Sequence, residues 1–120
     1  RPSQAGARVV IRGGMIEVPV ASRPRALRFY VETLGIKLVA ERPGCSVLDV
    51  GQGARLGLVE VANGARRVAI GLAVADVERT VSLLENRGIV FRSEVHAGSA
   101  ASTFDDLDGN TLYLFEDATP

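Results

Sequence analysis

Few side chains in this sequence can do chemistry, and the first candidate is His96, the only histidine among 120 residues. Together with Glu17 and either Glu60 or Glu94, His96 would supply two carboxylates and one imidazole, which is the donor set of a facial metal site. Strand alternation places Glu60 on the opposite side of its strand from Glu17, which argues against that set. The only thiol belongs to Cys45, and nothing beside it marks it as a nucleophile. We therefore expect a small buried or half-buried thiol there.

A group of acidic and amide side chains near the C-terminus resembles the start of a calcium loop: Asp105, Asp106, Asp108 and Asn110. Counting from Asp106 puts Thr111 and Asp117 at positions six and twelve, where such a loop needs Gly and Glu. The Asp108-Gly109 pair is better explained as a turn between two strands. The sequence has neither a Gly-x-Ser-x-Gly nucleophile elbow nor a glycine loop leading into a helix that would hold phosphate.

An internal repeat predicts how these side chains are positioned. Val20-Ala21-Ser22 recurs as Val74-Ala75-Asp76, and Leu56-Gly57-Leu58 matches Leu112-Tyr113-Leu114, at offsets of 54 and 56 residues. A nearly constant offset, together with a helix N-cap in each half, indicates a duplication. The alternative is two unrelated αβ segments that share these features by chance. Each half is predicted to have the order β-α-β-β-β.

The predicted elements divide one domain, 1–120, into two modules, about 14–62 and 66–117. In the first module we predict a strand within 9–20, a helix over 24–34, and strands over 36–41, 45–50 and 54–61. In the second, a helix capped by Asp76 precedes strands over 89–93, 101–105 and 111–115. Residues 1–8 are small and polar, which is typical of a flexible leader.

Composition excludes several classes of function. The 14 Lys and Arg balance 14 Asp and Glu, and a net charge of zero argues against nucleic-acid or membrane-surface partners. One cysteine makes no internal disulfide, and no apolar run approaches the roughly 18 residues of a membrane helix. We expect a cytoplasmic protein.

Strand alternation gives each predicted sheet two different faces. One face is apolar and is expected to carry the helices: Ile16, Val18, Val20, Leu56, Leu58, Ile70, Leu72, Val74, Leu112 and Leu114. The opposite face combines small residues with Tyr113 and Phe115 and includes Glu17, whose burial without a partner would be costly. This combination predicts an open, wet or ligand-filled concave surface. The alternative is that the small residues allow another subunit to approach closely.

The chain resembles the glyoxalase/bleomycin-resistance/dioxygenase superfamily, also called the vicinal oxygen chelate superfamily. The resemblance rests on the duplicated halves, the stretch from Arg25 to Tyr30 that leads to Leu34-Gly35, the Asp76-Val77 helix start and the turn from Asp106 to Asn110. It implies an α+β fold in which two tandem βαβββ modules form a curled, open sheet. It also implies a homodimer with a ligand inside the curl.

Enzymes of that family hold a divalent metal at one first-strand and one last-strand position of each module. By resemblance these positions are Met15, Gly57, Ala69 and Tyr113. A thioether, a hydrogen and a methyl do not ligate a hard divalent ion, and a phenol is rarely recruited alone. We therefore expect neither a metal nor another cofactor.

Three functions remain open. The first is a metal-free, dimeric protein that binds a small molecule such as an antibiotic or another aromatic or cationic compound. Its lining candidates are Met15, Glu17, Gly57, Val59, Ala69, Gly71, His96, Tyr113 and Phe115. The second is a lyase, isomerase, transferase or dioxygenase with an unconventional or absent metal site, using Glu17 and His96 as acid–base groups. The third is an interaction module without a ligand.

Overall fold

The computed structural model describes residues 13–62, 67–93 and 102–116. The strands are β1 (Gly14–Val20), β2 (Lys37–Arg42), β3 (Cys45–Gly51), β4 (Ala54–Glu60), β5 (Ala69–Val74), β6 (Thr103–Asp105) and β7 (Thr111–Glu116). The helices are α1 (Arg23–Leu27), which continues directly as a π-helical segment (Arg28–Thr33), and α2 (Val77–Asn86). None of the described helices is long and apolar enough to cross a membrane.

The strands form two sheets. The first has the order β1-β4-β3-β2, with β1 parallel to β4 and the other neighbours antiparallel. The second has the order β5-β7-β6, with β5 parallel to β7 and β6 antiparallel to it. In both sheets the first strand therefore pairs with the last strand of the same half. This arrangement confirms the α+β fold class with curled sheets.

The predicted helix over 24–34 is present but is not uniform. Ser22 caps its start, accepting a hydrogen bond from the amide of Arg25 at 3.4 Å. In the second half the helix widens, and the amide of Leu34 donates to the carbonyl of Phe29, five residues earlier. Gly35 follows with a φ of 78°, which only a glycine adopts without strain.

The predicted strand over 89–93 does not form as a strand. Only Arg92 makes a β-bridge there, to Thr103, through an amide-to-carbonyl hydrogen bond of 2.7 Å. At the start of this segment the amide of Ile89 donates to the carbonyl of Leu84 and so completes the end of α2. That amide is therefore not available to a sheet, and the pairing of this segment with β6 is limited to the bridge at Arg92.

Both sheets direct the same predicted face into one core. The buried strand residues are Val18, Val20, Leu48, Leu56, Leu58, Ile70, Phe104, Leu112 and Leu114, and the helices add Ala26, Tyr30 and Leu84. Ile16 is the exception to the predicted apolar face, with 51 % of its surface exposed. The even-numbered residues of β1, β4, β5 and β7 thus face the core, so the odd-numbered residues face away from it.

The two halves cap their helix starts in the same way. Asp76 caps α2 as Ser22 caps α1, each accepting from the amide of the third helical residue. In addition, the carboxylate of Glu60 accepts from the first amide of α1 at 2.9 Å, and that of Glu116 accepts from the first amide of α2 at 3.2 Å. A carboxylate is favourable there because the amides at a helix start carry partial positive charge.

A buried polar network joins the two halves. Oδ2 of Asp106 accepts from the Tyr30 hydroxyl and from Nδ2 of Asn110, both at 2.8 Å. Oδ1 of Asp106 accepts from the amides of Asp108 and Asn110. Nδ2 of Asn110 also donates to the carbonyl of Pro19 in β1. The residues that resemble a calcium loop therefore form a hydrogen-bonded turn, and the Asp106 carboxylate accepts bonds from the protein itself.

Candidate functional site

The candidate residues of the first sheet lie on the face turned away from the core. In the register of β1 and β4, Glu17 is opposite Gly57, and Pro19 is opposite Val59. Glu17 is exposed, so solvent compensates its charge and no buried partner is required. Its exposure is compatible with the predicted wet surface.

Gly57 is the centre of this part of the face. A Cβ added at Gly57 would lie 3.0 Å from Sδ of Met15 and 3.1 Å from Sγ of Cys45. Two sulfur atoms therefore pack against Gly57 on the side where a larger residue would carry its side chain. We name Met15, Cys45 and Gly57 the sulfur cluster.

The candidate residues of the second sheet surround Tyr113. Gly71 is its partner in the parallel register of β5 and β7. A Cβ added at Gly71 would lie 2.6 Å from Cζ and 2.7 Å from the hydroxyl of Tyr113, so the ring lies directly over the glycine. Phe115 continues the aromatic surface, with ring centroids 6.4 Å apart and planes inclined by 41°. We name Gly71, Tyr113 and Phe115 the aromatic cluster.

Small residues of β5 extend the surface beside this cluster. Ala69 and Ala73 have the same parity as Gly71 and are both exposed. Phe115 is 38 % exposed although it is aromatic. The aromatic cluster therefore borders a strip of small, exposed side chains.

The structure brings the candidates together as two groups. The sulfur cluster lies on the first sheet and the aromatic cluster on the second, and within the described residues these sheets share no hydrogen-bonded edge. His96 and Glu94 fall outside the described residues, so their predicted roles stay predictions. The predicted metal set that combines Glu17 with Glu60 can be tested. The carboxylate of Glu60 accepts a hydrogen bond from the start of α1, whereas Glu17 lies on the opposite face of the sheet. These two carboxylates do not face one ion.

The residues at the family's metal positions do not fit a hard divalent cation. Met15 offers a thioether, Tyr113 offers a phenol, and Gly57 and Ala69 offer no donor side chain. Across 13–62, 67–93 and 102–116, no three His, Cys, Asp or Glu side chains come together in a metal-binding arrangement. No reaction step through a divalent metal can be derived from this donor set.

Two residues of this face, Cys45 and Val47, are not among the predicted lining candidates. Cys45 is opposite Val59, and Val47 is opposite Gly57, in the antiparallel register of β3 and β4. Val47 is only 3 % exposed although it lies outside the main core cluster. Side-chain alternation along β3 indicates that Cys45 and Val47 lie on the same face of the sheet. Their alignment with Gly57 depends on the register of β3 and β4, which includes a bulge between Asp49 and Gly51.

One titratable group behind the site is strongly perturbed. Burial raises the pKa of Tyr30 far above its ordinary value, and the charge and the hydrogen bond of Asp106 raise it further. The hydroxyl therefore stays protonated as a donor to Asp106. Its role is to hold the two halves together, and it lies on the core side of the sheets.

Comparison with solved structures places this geometry among related proteins. An antibiotic-binding protein, TnmS3 from Streptomyces sp. CB03234, is 26 % identical with a TM-score of 0.74, over 88 % of this chain and 95 % of that one. A superfamily member from Sphaerobacter thermophilus DSM 20745 is also 26 % identical, with a TM-score of 0.73 over 88 % and 96 % of the two chains. A lactoylglutathione lyase from Agrobacterium tumefaciens shares the fold at 18 % identity, with a TM-score of 0.68 over 85 % and 90 %.

Among curated proteins, no sequence matches the chain significantly. The family model described as Glyoxalase/Bleomycin resistance protein/Dioxygenase superfamily matches residues 13–114, most of the chain. The solved structures that resemble the chain include proteins of the same description. The chain belongs to the glyoxalase/bleomycin resistance protein/dioxygenase superfamily.

Proposed function

We propose that the protein binds a small, flat organic molecule on the outward faces of its sheets without a divalent metal. The observation that carries this proposal is the aromatic cluster, in which Tyr113 lies over Gly71 with Phe115 beside it. Aromatic rings favour offset stacking on flat partners, and a phenol adds one polar group to such a surface. The likeness to an antibiotic-binding protein at 26 % identity supports a small-molecule ligand.

Glu17 gives the ligand a preferred charge. Its carboxylate lies on the outward face of β1, one strand from Gly57, and is exposed. A carboxylate at the edge of an apolar surface favours a cation over a neutral or anionic molecule of the same shape. Arg42 and Arg55 are exposed on the same face, so the preference for a cation requires a ligand that contacts Glu17 directly. We propose an aromatic compound whose positive charge lies against Glu17.

A second copy of the chain is part of this proposal. Within the described residues, β1 and β5 are each at the edge of their sheet, and the β5 segment AIGLAV carries neither a charge nor a proline. An apolar edge strand of this kind is normally covered, because its free amides and carbonyls otherwise recruit other chains. A homodimer that covers these edges would place a sulfur cluster and an aromatic cluster around one ligand.

Calorimetric titration with acridine orange, a flat cation, and with anthraquinone-2-methanol, a flat neutral molecule, tests the proposal. We expect Tyr113→Leu to weaken binding of both probes about tenfold, because it removes the stacking surface. Glu17→Gln is expected to weaken binding of acridine orange only. The matched control is Glu85→Gln, which makes the same carboxylate-to-carboxamide substitution at an exposed position on α2.

Each outcome of the titration has a meaning. Absence of binding by both probes, or equal affinity in the wild type and Tyr113→Leu, contradicts the proposal. Sedimentation at the same concentrations measures whether the chain is dimeric. If the chain is a monomer and still binds the probes, the site shared between two chains is contradicted, but the proposal that the protein binds a small molecule is not.

The enzymatic alternative uses Glu17 and His96 as the acid–base pair of a lyase, isomerase, transferase or dioxygenase. The solved enzymes among the neighbours are 18 % and 12 % identical, which supports the fold alone. Elemental analysis of the purified protein distinguishes this alternative, since a stoichiometric divalent ion would favour it.

A further inference from the structure

The chain contains a single methionine and a single cysteine, and the fold brings their sulfur atoms to the same glycine. Met15 and Cys45 are 30 positions apart in the sequence, on strands β1 and β3 with β4 between them. Both sulfur atoms lie within 3.1 Å of the point that a Cβ of Gly57 would occupy. A larger residue at position 57 would press against both sulfur atoms.

We propose that Met15 and Cys45 form a two-sulfur site for a soft monovalent metal ion, of which Cu(I) and Ag(I) are the representatives. Thiolate and thioether are the ligands that select Cu(I), whereas hard ions prefer carboxylate, carbonyl and water. Met15 is the one family metal position that offers a sulfur donor, and Cys45, which is not such a position, supplies the second sulfur beside Gly57. This inference goes beyond the proposed binding of an organic molecule and does not depend on it.

The surroundings allow an ion to reach the two sulfurs. Met15 is 44 % exposed and Cys45 is half-buried, so neither donor lies in the core. Met15 has three rotatable side-chain bonds, which let its sulfur adjust its position relative to that of Cys45. Glu17, one strand from Gly57, adds a negative charge to the same face.

Cationic side chains also share this face. Arg42 is opposite Cys45 across β2 and β3, and Arg55 is opposite Met15 across β1 and β4. Both arginines are exposed, so solvent screens their repulsion of an incoming cation. Binding requires the thiolate, so the Cys45 thiol releases one proton to the buffer when the sulfur–metal bond forms, and no electron is transferred.

Anaerobic titration of the full chain with Cu(I), in competition with a chromophoric Cu(I) chelator, tests the site. We expect one Cu(I) per chain and two sulfur neighbours in X-ray absorption at the copper edge. Met15→Leu conserves side-chain volume and is expected to weaken binding at least about tenfold and to leave one sulfur neighbour. Cys45→Ser is expected to abolish binding, and Zn(II) in excess is expected not to displace Cu(I).

Gly57→Ala is an independent variant, because it retains both sulfurs but adds a methyl group that presses against each of them. We expect it to weaken Cu(I) binding while circular dichroism stays unchanged. Equal affinity in the wild type and Met15→Leu overturns the proposal, as does one ion per two chains held by two Cys45 thiolates. The organic probes are titrated into metal-free protein, so failure of the metal site and failure of the proposed function are separate results.

Discussion

The hydroxyl of Tyr30 donates a 2.8 Å hydrogen bond to Oδ2 of Asp106, which lies 76 positions later in the chain. Tyr30 follows α1 in the first half, and Asp106 begins the turn before β7 in the second half. Both residues are buried, and the rest of the Asp106 carboxylate is bonded by Asn110 and Asp108. This contact therefore links the sheets that carry the two candidate clusters.

Tyr30→Phe removes this bond and leaves the ring in place. We expect a loss of about 1–3 kcal/mol in the free energy of unfolding, because a buried charged acceptor loses one of its donors. Urea denaturation followed by circular dichroism measures the loss. Ser82→Ala, which removes an exposed hydroxyl on α2, is the control and is expected to cost less. Equal losses of unfolding free energy in the two variants would show that the hydrogen bond from Tyr30 to Asp106 does not stabilise the fold more than an ordinary hydroxyl does.

The same pair predicts alkaline sensitivity. Burial, followed by the charge and hydrogen bond of Asp106, raises the pKa of Tyr30 in the folded chain, whereas in the unfolded chain it ionises near its ordinary value of about 10. Above that pH the unfolded state loses a proton that the folded state keeps. Stability from Tyr30 is thus complete below about pH 10 and falls above it by up to about 1.4 kcal/mol per pH unit.

Denaturation midpoints measured between pH 8 and 11 test this slope. Lysines and other groups titrate in the same range, so the informative quantity is the difference between the wild type and Tyr30→Phe. We expect that difference to be constant up to pH 9 and to shrink above pH 10. A constant difference at every pH contradicts the perturbed ionisation of Tyr30.

The sequence alone predicts the faces of the strands well, because side-chain alternation needs no knowledge of distant contacts. Val18, Leu58 and Leu112 were assigned to the core by parity, and each is buried. The helix starts were also predictable, since Ser22 is a common local signal. The predicted strand over 89–93 shows the limit, since its pairing in the described residues is one bridge from Arg92 to Thr103, and such pairing depends on distant contacts that a local pattern does not contain.

The candidate site was predicted less completely than the fold. Parity places Met15, Gly57 and Tyr113 on the outward faces, but it does not tell which of them are in contact. The sequence predicts only a small buried or half-buried thiol at Cys45. Its contact with Gly57 depends on the pairing of β3 with β4 and on the bulge in that pairing. Long-range register is a tertiary property, and single-sequence patterns determine it only weakly.

Gly71 is predicted to be required for the position of the Tyr113 ring. A Cβ at Gly71 would lie 2.6 Å from Cζ of Tyr113, closer than real contacts allow, so Gly71→Ala must displace the ring. We expect a loss of about 1–3 kcal/mol in the free energy of unfolding and weaker binding of acridine orange. Thermal and urea denaturation measure the first effect, and calorimetry measures the second.

The double variant separates this clash from a simple backbone effect. In Gly71→Ala combined with Tyr113→Ala, we expect a smaller loss than the sum of the two single losses, because the clashing ring is gone. Gly57→Ala is the comparison variant, since its nearest neighbour is the flexible thioether of Met15, which can rotate away. Additive losses in the double variant would contradict the steric explanation.

Glu60 and Glu116 give a prediction that tests the internal duplication itself. Each carboxylate accepts a hydrogen bond from the first amide of the helix in its own half, at 2.9 and 3.2 Å. We expect Glu60→Ala and Glu116→Ala each to lower the free energy of unfolding by about 0.5–1 kcal/mol, since each removes an acceptor and a favourable charge at a helix start. Because the two carboxylates share no hydrogen-bond partner in the described residues, their losses should add in the double variant. The corresponding Gln variants keep an acceptor oxygen, and urea denaturation should show smaller losses for them. If only one of the two Ala variants lowers the free energy of unfolding, the two halves share this geometry but not its contribution to stability.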